Sequence, residues 1–135
     1  MASKGPVSMT SSDLPEPVRR LIVECIGSAA ELEILLLLQR HPDRSWSTRD
    51  VDSELRIGEP VAVAGLRKLT DAGLLSAGEE GFRFAPRSRE RERAVAELVD
   101  AYARRRVRVI EFLYNKPSDR ITLFSDAFRF RRGKD

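Results

Sequence analysis

Apolar positions along the chain fall into blocks, most of which repeat every three or four residues. The first block, Asp13 to Ile26, puts Val18, Leu21, Ile22, Cys25 and Ile26 on one face of a predicted helix, with Pro15 and Pro17 crowding its start and Gly27 ending it. Ser28-Ala-Ala-Glu31 has the form of a capping box and opens a second helix through Arg40. Its Ile34 to Leu38 run is apolar nearly all round, so it belongs at the centre of the core, with Leu35 deeply buried. Pro42 stops it.

The stretch from Trp46 to Leu75 organises the rest. Ser47 suits an N-cap, Asp50 makes a weaker version of the reciprocal capping box, and Trp46 and Val51 stand at the two positions of a hydrophobic staple. Ile57-Gly58 breaks this short helix, and Pro60 suits the first position of the next. Ala62, Gly65, Leu66 and Leu69 then recur at helical spacing as a narrow inward stripe, with Leu66 at its middle. Gly73 is placed to end that helix in a left-handed conformation. Beyond it, Leu74–Ala77 and Phe82–Ala85 read as a hairpin around Gly78-Glu79-Glu80-Gly81.

From Arg89 to about Asn115 the pattern predicts one long helix, capped by Ser88, with ion pairs Glu90–Arg93, Arg93–Glu97 and Asp100–Arg104 on its surface. Val95, Leu98, Val99, Tyr102, Val109, Ile110 and Leu113 form its apolar stripe. That is more apolar surface than a small core needs, so the stripe is the candidate seam of a homodimer. A last amphipathic helix, Ser118 to Phe130, carries Ile121, Phe124 and Phe128 on one face and ends in Arg129, Arg131, Arg132 and Lys134. Its expected place is packed on the domain or on a second subunit, because so short a helix is marginal alone.

Short helix, turn, longer helix, Leu66 to Leu75 as L-x-x-L-x-x-A-G-L-L, and a strand pair ending Gly81-Phe82-Arg83-Phe84-Ala85-Pro86 resemble the winged helix-turn-helix of bacterial regulators of the MarR and ArsR kind. The resemblance covers roughly Ser28 to Pro86. It implies a mainly α fold with a small β-hairpin wing, and a long C-terminal helix that builds a dimer. It also implies a non-enzymatic transcription regulator that binds double-stranded DNA. The expected organisation is an unstructured segment 1–12, a winged helix-turn-helix domain 13–86, and a dimerisation helix with a basic amphipathic tail over 87–135.

Charge modifies this picture. The formal net charge is +3, but residues 1–27 carry 3 basic and 3 acidic groups, residues 28–86 carry 7 and 10, and residues 87–135 carry 14 and 8. Nucleic-acid affinity is largely phosphate neutralisation, so the acidic middle is a poor DNA surface on its own and the basic C-terminal part a better one. Arg67, Lys68, Arg104, Arg105, Arg106 and Arg108 are the candidate DNA contacts. Members of the resembled family usually offer polar residues from the second helix, whereas the outward positions here are Pro60, Val61, Val63, Ala64, Arg67, Lys68 and Asp71. Weak base reading follows. The alternative is a winged-helix module that binds a protein partner through Val61, Val63 and Ala64.

Chemistry for catalysis is sparse. The single histidine, His41, fits a helix-end cation, and the single cysteine, Cys25, a buried thiol that excludes an internal disulfide. No metal-ligand spacing or phosphate loop occurs, so neither metal nor cofactor is expected. Met1–Asp13 has no apolar signal-peptide core, and the greasiest run, Leu32–Leu38, falls short of the roughly 20 residues that span a bilayer. A cytoplasmic protein with no integral membrane segment is expected.

Overall fold

The computed structural model describes residues 14–115. The unstructured segment assigned to 1–12 and the helix assigned to Ser118–Phe130 lie outside the described residues. Helices α1 (Glu16–Cys25), α2 (Ala29–Arg40), α3 (Thr48–Leu55) and α4 (Glu59–Asp71) precede a hairpin of β1 (Leu75–Gly78) and β2 (Gly81–Phe84). Two more helices follow, α5 (Arg89–Arg104) and α6 (Arg106–Asn115). The described chain is thus mainly α with a two-stranded antiparallel sheet. No described helix is long and apolar enough to cross a membrane.

Caps set most helix ends. Ser28 Oγ accepts from the Glu31 amide at 3.2 Å, but the Glu31 carboxylate reaches one residue further back than a capping box requires, accepting from Gly27 N–H at 2.6 Å. At α3 the box is complete: Asp50 N–H donates to Ser47 Oγ at 3.0 Å and Ser47 N–H to Asp50 Oδ2 at 3.1 Å. The Ser47 backbone amide, more than the nearby Arg44, holds the Asp50 carboxyl below the usual carboxylate range. Because that value is depressed in the folded chain, the cap is intact at neutral pH and is lost only as pH falls through it. The break after α3 comes earlier than Ile57: Arg56 itself takes the left-handed conformation, φ 54°. Helix α4 then begins at Glu59, so Pro60 is its second residue, where its missing N–H is still one of the unpaired first four.

Helix α2 is the hub. Leu32 and Ile34–Leu38 are all buried, and the helix packs on α3, α4 and β2. Against it lies the α4 stripe Ala62, Gly65, Leu66 and Leu69, buried as its spacing predicts. Gly65 permits the approach: a Cβ there would stand 2.6 Å from Ile34 Cδ1. Leu35 and Leu66 are both completely covered.

Helix α4 closes with the two hydrogen bonds of a Schellman motif, Leu74 N–H to Leu69 O and Gly73 N–H to Thr70 O, both 3.0 Å, around Gly73 at φ 82°. Committing the Leu74 amide there delays the strand by one residue, to Leu75. The hairpin pairs Leu75 with Phe84 and Gly78 with Gly81, so its turn is the two residues Glu79-Glu80.

A third segment completes the sheet edge. Trp46 N–H donates to Phe82 O at 2.7 Å and Phe82 N–H to Trp46 O at 2.8 Å, so the residue before α3 is fastened to the hairpin. Gly81 makes room for this bridge. It sits at φ 125°, and a Cβ would run into the Trp46 carbonyl, which is backbone and has nowhere to go. Gly81→Ala is expected to cost about 1–3 kcal/mol in strain and broken pairing. Urea denaturation should show a lower midpoint; an unchanged midpoint would mean that the bridge contributes nothing.

The single long C-terminal helix is not what forms. The chain breaks at Arg105 (φ −134°, ψ 57°), and α5 and α6 both pack on α1. Nothing at Arg104-Arg105-Arg106 is a helix breaker by type, so the break is a tertiary choice. It lets Val109 and Leu113 be buried beside α1 instead of running on into solvent. Of the three expected ion pairs, Asp100–Arg104 forms at 3.0 Å. Among the described residues Arg93 pairs with neither Glu90 nor Glu97, and Arg91 instead reaches across to Glu24 at 3.3 Å.

Candidate nucleic-acid interface

The exposed side of α4 follows from its buried one. With Ala62, Gly65, Leu66 and Leu69 turned in, Glu59, Pro60, Val61, Val63, Ala64, Arg67, Lys68 and Asp71 are turned out. Val61 is 44% exposed and Val63 39%. The first turn has no side-chain cap on Gly58, whose N–H donates to Asp52 Oδ1 at 2.8 Å. The positive end of this helix therefore meets the Asp52 carboxylate and Glu59 rather than an open surface. Glu79 and Glu80 are exposed at the hairpin turn. Opposed to duplex phosphates, these carboxylates repel.

Two cations remain on this face, and they differ. Arg67 is exposed. Lys68 leans back toward the start of α2, with Nζ 3.8 Å from Glu31 Oε2. With the Glu31 side chain 13% exposed and Lys68 57%, the pair is partly buried, and at this length it biases the position of Lys68 without locking it.

The C-terminal arginines cluster where α5 breaks. Arg104, Arg105, Arg106 and Arg108 are all exposed. Arg104 pairs with Asp100 on its own helix, Arg108 lies 3.9 Å from Glu111, and the Arg106 guanidinium sits 5.3 Å from the Tyr102 ring centroid. Surface pairs of this strength yield readily to a phosphate.

No family model, curated protein or solved structure matches the chain. Its chemistry has to come from the faces themselves.

The residues assigned to a dimer seam have another use inside the chain. Val95, Leu98, Val109 and Leu113 are buried in the single protomer, and Val99, Tyr102 and Ile110 are half-buried against its core. Part of this apolar stripe is taken up within the protomer, where α1 packs on both α5 and α6.

Three features escaped the spacing argument. The first is an open groove of about 590 Å³ between α1 and the start of α5, bounded by Glu16, Arg20 and Glu24 on one side and Arg87, Arg91 and Arg93 on the other, over Leu21 and Ala94. Its walls lie some seventy positions apart, and no local pattern links them. Cys25 is buried close by; burial pushes its thiol above the usual range, and the Arg91 charge opposes that shift. The thiol is thus held protonated and inert. The second is the environment of Trp46, whose buried ring is covered by the Arg44 guanidinium at 3.6 Å, with the His41 ring 5.8 Å away. Among the described residues the Trp46 Nε1–H has no hydrogen-bond partner. The third is Val107, 67% exposed, and Tyr114, 64% exposed, on the outer face of α6. Among the described residues no group of metal-ligating side chains converges.

Proposed function

We propose that the chain is a winged helix-turn-helix DNA-binding protein of the regulatory, non-enzymatic kind, which holds duplex by its phosphates and reads base sequence weakly. One observation carries this reading: α4, set at a three-residue turn from α3 and followed by the hairpin, leaves one whole face to solvent. Its groove-facing first turns are Glu59, Pro60, Val61, Val63 and Ala64, which supply no hydrogen-bond code, and Arg67 alone stands ready for a guanine edge. Arg104, Arg105, Arg106 and Arg108 supply the phosphate contacts in this reading, and the cytoplasm is the compartment it implies.

The affinity should fall steeply with salt, and the double variant Arg104→Ala with Arg106→Ala should flatten the log–log slope by about 2 units if both side chains touch phosphate. Fluorescence anisotropy on a random duplex over a salt series measures this. An unchanged slope removes these arginines from the interface. Selection from random duplexes should return only shallow enrichment; a sharp palindrome that disappears with Arg67→Ala would replace weak reading with a specific repressor.

The exposure of Val61 and Val63 favours a second reading, a winged-helix module that docks a protein through Val61, Val63 and Ala64. No duplex binding, together with a protein partner lost on Val61→Asp, is the result that selects it.

A further inference from the structure

We propose that the joint between α5 and α6, with the outer face of α6, is a peripheral docking surface for a bilayer of anionic lipid. Six consecutive residues across the joint, Ala103 to Arg108, are all exposed, and four of them are arginines. Val107 stands among these arginines, and Tyr114 lies seven positions further on. They are the two most exposed large apolar side chains among the described residues. Seven residues make close to two helical turns, so both side chains project from one side of α6, about 10 Å apart along its axis. The opposite side is already taken, since Val109 and Leu113 are buried in the protomer.

Charge and shape select the occupant. Arg104, Arg105, Arg106 and Arg108 stand against two acids, Asp100 and Glu111, whose pairs with Arg104 and Arg108 are exposed and screened by solvent. The surplus is positive, and the residues after Asn115 add six cations against three acids. The negative potential of an anionic bilayer attracts such a cluster across about a Debye length. Phosphates on a duplex backbone would use the arginines and leave Val107 and Tyr114 in water. A bilayer uses both. Tyrosine suits headgroup depth and valine the acyl boundary, while arginine stems lie along the apolar layer and their heads stay on lipid phosphates. A protein partner fits less well, because stable interfaces bury roughly 1,200 Å² or more and α6 is only about 15 Å long. A fluid headgroup layer requires no matched shape. The surface shares its arginines with the DNA reading but stands without it.

The test is flotation of the full chain with vesicles of phosphatidylcholine alone and of phosphatidylcholine mixed with phosphatidylglycerol. The chain should bind only the mixed vesicles, and added salt should release it. Val107→Ser with Tyr114→Ser should weaken binding about tenfold or more with unchanged far-ultraviolet circular dichroism, whereas Tyr114→Phe should bind no more weakly than the wild type. Arg106→Gln should weaken binding about fivefold. Insertion is read from Tyr114→Trp, whose emission brominated lipid should quench, while Trp46 is buried and shielded. Failure to bind the mixed vesicles overturns the proposal, as does binding indifferent to the serine pair or a Tyr114→Trp emission that brominated lipid leaves unchanged. Loss seen only with Phe124→Ser and Phe128→Ser would place the contact in the residues after Asn115 and overturn it too. None of these measurements involves duplex, so failure of the DNA reading leaves the proposal standing.

Discussion

Trp46→Ala is expected to cost about 3–5 kcal/mol of folding stability, the range for deleting a large buried aromatic side chain. Trp46 is 2% exposed and serves three roles at once. Its ring packs beneath the Arg44 guanidinium, its side chain joins the buried cluster that also holds Val51, and its backbone is bonded to Phe82 in both directions. Alanine keeps the backbone bridge and empties the rest. Trp46→Phe should cost much less, because it retains most of the ring and deletes an indole N–H that has no partner among the described residues. The chain has one tryptophan, so urea transitions must be followed by circular dichroism. Equal losses for alanine and phenylalanine would show that the nitrogen, not the ring, matters.

Leu66→Ala should cost about 2–5 kcal/mol, with the upper part of the range favoured by the rigidity of its surroundings. Leu66 is completely covered and lies on the side of α4 that packs against α2, whose five consecutive apolar residues Ile34–Leu38 are also buried. Gly65 keeps the two helices close, and neither can collapse into the space without breaking the contact with Ile34. A loss below about 1 kcal/mol, at constant denaturant dependence, would mean that the α2–α4 contact is loose. The same variant disturbs the posture of α4, so under the proposed DNA-binding reading any duplex affinity should fall along with stability.

Local chemistry was legible where a residue's role is set by its neighbours in the chain. Ser28, Ser47 and Ser88 cap the helices their positions imply, and Ala62, Gly65, Leu66 and Leu69 face inward as their spacing implies. Gly73 ends α4 in the expected conformation. What spacing could not show is competition between distant parts. Between Arg89 and Asn115 there is no Gly or Pro to stop a helix, and the break goes with the packing of both pieces on α1, which spacing along the chain does not show. The same blindness applies to the candidate site. The lean of Lys68 away from Arg67 is biased by Glu31, which lies far back in the chain.

The break at Arg105 has a consequence for how the chain matures on the ribosome. The buried face of α1, Val18, Leu21, Ile22 and Cys25, is covered largely by α5 and α6, which are made last among the described elements. Until they emerge, α1 is a greasy strip with no lid, while α2, α3, α4 and the hairpin can already pack on one another. Closure of α1 must then bring together residues some seventy to ninety positions apart. The nascent chain is therefore exposed to wrong partners for as long as most of its length takes to synthesise.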